Sequence, residues 1–97
     1  MRVNSEETQY EKIYNLGRIL FKENKFNQAK SFFEKCLSLK DALDDKLKKI
    51  NLYIILAHTN TQLSAYKLSV DYLNMAFELL DNKIIDDKLN EKRIKSK

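Results

Sequence analysis

Proline and tryptophan are absent from this 97-residue sequence, and glycine, cysteine and histidine occur once each. Each shortage excludes something. Hairpins and tight strand turns draw on glycine and proline, so a chain this poor in both predicts an all-α fold. Lone Cys36 can form no internal disulfide, and the start MRVNSEETQ has no apolar core of the secretory kind; a reducing, cytoplasmic setting is the expectation. No apolar run approaches the ~18 residues of a bilayer crossing, so no membrane partner is expected. Without a glycine-rich loop there is no phosphate cradle, and no cofactor is called for. What is present, 43% hydrophobic and 33% charged residues, is the composition of one soluble globular domain rather than of a disordered tail.

Charge location bears on nucleic acid as a partner. The chain carries 18 Lys and Arg against 14 Asp and Glu, for a formal net charge of +4. Residues 88–97 supply Lys88, Lys92, Arg93, Lys95 and Lys97 against Glu91, so the remainder is balanced. Five tail cations give at most a weak, sequence-blind, salt-sensitive attraction to phosphate, and no aromatic residue among them offers base stacking. Nucleic acid is therefore the least favoured partner class.

Hydrophobic spacing predicts helices throughout. The first is expected to begin near Ser5, after a capping-box-like Asn4 and Glu7, with Ile13, Leu16, Gly17 and Leu20 on its core stripe. A second carries Phe26, Ala29, Phe32, Phe33, Cys36, Leu37 and Leu39, and a third spans about 43–63. Ser64-Ala65-Tyr66 turns into a fourth, with Tyr66, Val70, Tyr72, Leu73, Ala76, Phe77, Leu79 and Leu80 as its apolar set. A fifth, more polar helix is expected from about Ile84.

Residues 10–39 repeat in residues 50–79 at a constant offset of 40. Ile13 falls on Tyr53, Leu16 on Leu56, Phe26 on Tyr66, Phe33 on Leu73 and Leu39 on Leu79. Three positions are small in both copies: Gly17/Ala57, Ala29/Ser69 and Cys36/Ala76. Antiparallel helices approach to ~8 Å only where the crossing side chains leave room, which gives the small residues their purpose. Asn60 stands where a large apolar residue is expected.

The run Ile13 to Leu20 with Leu16-Gly17 inside it, then Phe26-x-x-Ala29 and Phe33-x-x-Cys36, resembles the tetratricopeptide repeat. The second copy is looser but keeps the volumes. The resemblance covers residues 10–80 and implies an α-solenoid fragment of helix-turn-helix units: repeat one over 5–40, repeat two over 43–81, and a partial helix over 84–97. That last segment repeats Asp44-Asp45-Lys46-Leu47 as Asp86-Asp87-Lys88-Leu89, as if opening a third unit that caps the stack or continues into a longer solenoid. The 40-residue period, and Leu52 to Tyr72 in particular, is similar to the longer-helix repeats of Gram-positive peptide-sensing regulators of the response-regulator phosphatase type. The family's chaperone carboxylate clamp is not matched, because Tyr14 and Arg18 occupy the places of its Lys and Asn.

The resemblance implies a protein- or peptide-binding adaptor or regulatory scaffold that uses the concave face of each unit's first helix. Opposite the core stripe lie Tyr10, Glu11, Tyr14, Arg18, Phe21 and Lys22, and in the third helix Ile50, Asn51, Ile54, His58, Thr61 and Gln62. Tyr14, Arg18 and Lys22 align four apart, as do Ile54, His58 and Gln62. With Phe21 these form the expected partner groove, an apolar foot with cationic and polar steps suited to a carboxylate-bearing peptide. The alternatives are a self-associating adaptor, a homo-oligomer paired through an open edge near residues 66–94, and a fragment of a larger regulator.

Catalysis is not expected. His58 and Cys36 lie on different helices, Cys36 on a packing stripe, and neither has a second His or Cys at metal-ligand spacing. Asp44-Asp45 falls near a helix start, where carboxylates complement the helix dipole.

Overall fold

The computed structural model describes the backbone of residues 8–95 and the side chains of residues 8–80. The fold is all-α, with no strand among the described residues: α1 Gln9–Lys22, α2 Phe26–Leu37, α3 Lys40–Leu43, α4 Lys46–Gln62 and α5 Tyr66–Lys95. α1 packs on α2, α2 on α4 and α4 on α5, so two helix pairs stand side by side with α2 and α4 at their junction.

Local chemistry sets the boundaries. α1 begins at Gln9, later than Ser5, because Thr8 and Glu11 close the capping box: Thr8 Oγ1 accepts from Glu11 N at 3.0 Å, and Glu11 Oε1 from Thr8 N at 3.2 Å. The Asn4–Glu7 pair lies outside the described residues. Asp45 caps α4 through Lys48 N at 3.2 Å. α2 closes at Leu37, short of the expected Leu39, and Lys40–Leu43 forms a separate turn that buries Ala42. α5 runs unbroken through residues 81–84, since no glycine, proline or capping geometry interrupts it; the fifth helix is a continuation of the fourth. The capping role expected of residues 84–97 falls outside the described side chains.

The two helix-pair corners are copies of each other. Asn24 and Ser64, 40 residues apart, both adopt φ 64. At each corner the next amide reaches back five residues, Lys25 N to Leu20 O and Ala65 N to Asn60 O, both at 2.8 Å. Asn24 N to Phe21 O and Ser64 N to Thr61 O, both 3.0 Å, complete a Schellman motif. Glycine is the usual residue in that left-handed position, so the scarcity of glycine is met by accepting strain at two side-chain-bearing residues.

Within unit one, Gly17 marks the crossing of α1 and α2. A β-carbon there would come 2.6 Å from Cε1 of Phe33, whose ring is completely buried. Unit two changes both partners, with Ala57 for Gly17 and the slimmer Leu73 for Phe33. At the second small position Ser69 Oγ lies 2.9 Å from Ala57 O and from Thr61 Oγ1, tying α5 to α4 with a polar bridge. Asn60 is fully buried, its Nδ2 donating to Leu56 O at 2.8 Å, while its Oδ1 has no partner among the described residues.

Two expected core assignments change. Leu16 is 48% exposed, although Leu56 at the same repeat position is fully buried. Leu56 is covered by unit one, whereas no described residue stands on the outer side of α1 to cover Leu16. Conversely Tyr10, expected to face outward, is 6% exposed, because it joins the core cluster, with Cys36 against its carbonyl, Tyr14 stacked on its ring and Lys48 over it. In α5 the expected apolar set divides: Ala76 is buried and Tyr72 half-buried, but Tyr66, Val70, Leu73 and Phe77 are exposed.

Two outcomes are expected in urea unfolding. Gly17→Ala costs about 1–3 kcal/mol through its clash with Phe33, and adding Phe33→Leu returns part of that loss, so the two effects are not additive. Ser64→Gly relieves the left-handed strain and raises stability by about 0.5–1 kcal/mol.

Candidate functional site

The expected face draws on α1 and α4, the first helices of the two units, whose side chains meet at Lys48–Tyr10 and at Phe21–His58. Tyr10 stacks on Tyr14, with centroids 5.8 Å apart, and Tyr14 meets Phe33 at 5.7 Å. Lys48 Nζ lies 5.2 Å from the centre of the Tyr10 ring, a cation–π contact from α4 to α1. Phe21 presents its edge to His58 at 6.2 Å and to Phe26 at 5.1 Å, linking both units at the other end of the face.

The expected groove residues divide into three groups. Ile54, His58 and Gln62 line one depression of about 340 Å³ together with Ala57, Thr61 and Leu73, while Phe21 touches His58 without lining it. Arg18 and Lys22 instead line a separate depression of about 220 Å³ on α1 with Asn15 and Ile19. Tyr14 is half-buried in the aromatic stack and contributes to neither. The sequence reading missed Leu73. Its cue was the Phe33-to-Leu73 exchange, which leaves less bulk over Ala57 and opens the space that Ile54 and Leu73 wall.

The depression is shallow and mostly apolar at its walls, with Ile54 40% and Leu73 38% exposed. His58, Thr61 and Gln62 supply polar groups at its rim. Such a surface can bury one or two apolar side chains of an extended or helical segment and orient it by hydrogen bonds.

The reactive-looking groups elsewhere are packing groups. Cys36 is fully buried, its Sγ donates to Tyr10 O at 3.8 Å, and burial pushes its pKa up to about 11. A thiol held protonated is a poor nucleophile. Burial, with smaller additions from Cys36, Tyr14, Asp45 and Asp41, raises Tyr10 to about 12. Tyr72, stacked on Tyr53 at 5.9 Å, is raised mainly by burial and secondarily by Glu34. Among the described residues no three His, Cys, Asp or Glu side chains gather closely enough to hold a metal ion. No helix among them is long and apolar enough to cross a membrane.

Comparison with known families adds to this geometry, because residues 13–42, covering most of α1, all of α2 and the first residues of α3, match the family model of the tetratricopeptide repeat. This stretch is similar to the tetratricopeptide repeat. No curated protein and no solved structure matches the chain significantly. The second helix pair repeats the small-residue positions and the corner geometry of the matched stretch 40 residues later.

Both raised pKa values fix the sign of the alkaline response. The folded pKa lies above the unfolded one for Cys36 and Tyr10, so their contribution is complete below about pH 9, the ordinary thiol value, and is lost as pH rises through about 11 and 12. The urea midpoint is expected to be flat around neutrality and to fall from about pH 9 upward. Cys36→Ala, which installs the residue found at position 76, should move the onset of that fall toward the tyrosine range.

Proposed function

We propose that this tetratricopeptide-repeat chain is a non-enzymatic, cytoplasmic adaptor that binds a peptide segment of a partner protein on its concave face. The supporting observation is the depression walled by Ile54 and Leu73, whose rim residue His58 meets the Phe21 ring of α1. Apolar burial at Ile54 supplies affinity, and Gln62 and His58 supply hydrogen bonds at the rim. Arg18 and Lys22 stand on the neighbouring strip of α1 as an unshared pair of cations, placed to meet a carboxylate on a segment that crosses from α4 to α1. No salt bridge among the described residues engages either of them.

The test uses peptides selected on the wild-type chain from a random linear library, each made with a free and with an amidated C-terminus. Ile54→Asp is expected to weaken all of them by roughly tenfold or more, the cost of losing one buried aliphatic contact. Arg18→Glu with Lys22→Glu is expected to weaken the free-acid forms more than the amides. Both variants change exposed positions, so circular dichroism and urea midpoints should stay close to wild type. Unchanged peptide binding in both would remove the concave face as the contact surface.

A further inference from the structure

The repeat contains an internal control for what its ends lack. At the junction between the units the start of α2 meets the end of α4 at Phe26 and Leu63, and continuing that antiparallel register pairs Lys30 with Thr59, Phe33 with Leu56 and Leu37 with Leu52. Phe26 and Leu63 line one depression, and Phe33, Leu52 and Leu56 share one core cluster. Every one of these eight positions is buried or half-buried.

Moving 40 residues forward from the α2 side gives Tyr66, Val70, Leu73 and Phe77 on α5, which are 62%, 54%, 38% and 55% exposed. Moving 40 back from the α4 side gives Lys12, Leu16, Ile19 and Glu23, all exposed, with Leu16 at 48% and Ile19 at 52%. The chain therefore carries, at its two ends, the two halves of an interface whose assembled form it already contains.

The halves also match each other where they depart from that internal form. Leu63 becomes Glu23 on one side, and its opposite number Phe26 becomes Tyr66, which brings a phenol donor to a carboxylate. Thr59 becomes Ile19 while Lys30 becomes Val70, so a polar pair is replaced on both sides by an apolar one. Leu52 becomes Lys12 opposite the aromatic Phe77, a cation–π pairing. Leu16 faces Leu73 as Leu56 faces Phe33.

We infer that a second copy of this chain docks head to tail, the α5 edge of one copy on the α1 edge of the next, in the register of the internal α2–α4 junction. The contact is heterologous, so each added copy leaves one edge of each kind free, and assembly grows as a concentration-dependent series rather than closing as a two-fold dimer. The inference stands apart from the concave-face reading except at Leu73 and Ile19, which serve both, and the test rests on Leu16 and Val70, which line neither depression.

Light scattering and sedimentation of the wild type across a wide concentration range should show mass rising beyond a dimer. Leu16→Glu and Val70→Glu each remove one edge at an exposed position and should each be monomeric where the wild type associates. Mixed in equal amounts they should form a one-to-one heterodimer that grows no further, since only one intact pairing remains; Ile19→Glu should substitute for Leu16→Glu in the mixture. A wild type that stays monomeric at all concentrations overturns the inference. So does a closed dimer, or a mixture of the two variants that fails to pair while each retains the wild-type helical signal. Peptide binding should survive Leu16→Glu, which separates failure of the junction from failure of the concave face.

Discussion

The contact between the Phe33 ring and the empty side of Gly17 decides how close α1 and α2 lie, and much of the remaining geometry follows from it. A ring within 2.6 Å of a would-be β-carbon means the helices meet backbone to face, without an intervening side chain. That approach carries Cys36 under Tyr10 and lets Tyr14 lie against Phe33. It also leaves α2 able to cover Leu52 and Leu56 of the next unit completely. Unit two solves the same crossing with a different division of volume, Ala57 with Leu73, and the space saved appears as the depression on the concave face. Core packing and the candidate binding surface are thus two results of one exchange of bulk.

Much of the architecture was legible because small residues recur at an offset of 40 and because a chain almost without glycine and proline has few other ways to fold. The errors have physical causes. Asn4–Glu7 and Thr8–Glu11 both have capping-box spacing, and spacing alone does not say which pair closes. Leu16 and Leu56 are the same residue at the same repeat position, yet one is exposed and the other buried, since burial depends on which neighbour the stack provides. Tyr10 lies opposite the Ile13–Leu20 stripe by helical spacing, yet the core cluster extends to it through Cys36 and the Lys48 side chain. The break expected before Ile84 rested on polarity, which does not by itself end a helix.

The candidate site was legible in part for the same reasons. Ile54, His58 and Gln62 follow each other at four-residue intervals and share one depression. Arg18 and Lys22 follow the same rule on α1 and share another. What spacing did not reveal is that Tyr14, the apolar foot of the first strip, is drawn into a stack with Tyr10 of its own helix and Phe33 of α2. An aromatic residue between two helices becomes a spacer, whereas Ile54 at the same position of unit two has no such neighbour among the described residues and stays 40% exposed.

The position of α4 has a consequence for motion. It packs against α2, α3 and α5, and six of its residues, Ile50, Leu52, Leu56, Ala57, Thr59 and Asn60, are buried. The principal core cluster draws on α1, α2, α3 and α4, while α5 offers it only the half-buried Tyr72. Amide protection should therefore be steeply graded along the chain, slowest in the middle of α2 and α4 and faster through α5 despite its 30-residue length. A long helix here does not mean a stable one, and opening events that take minutes at α4 should be far more frequent at the edge where α5 meets solvent.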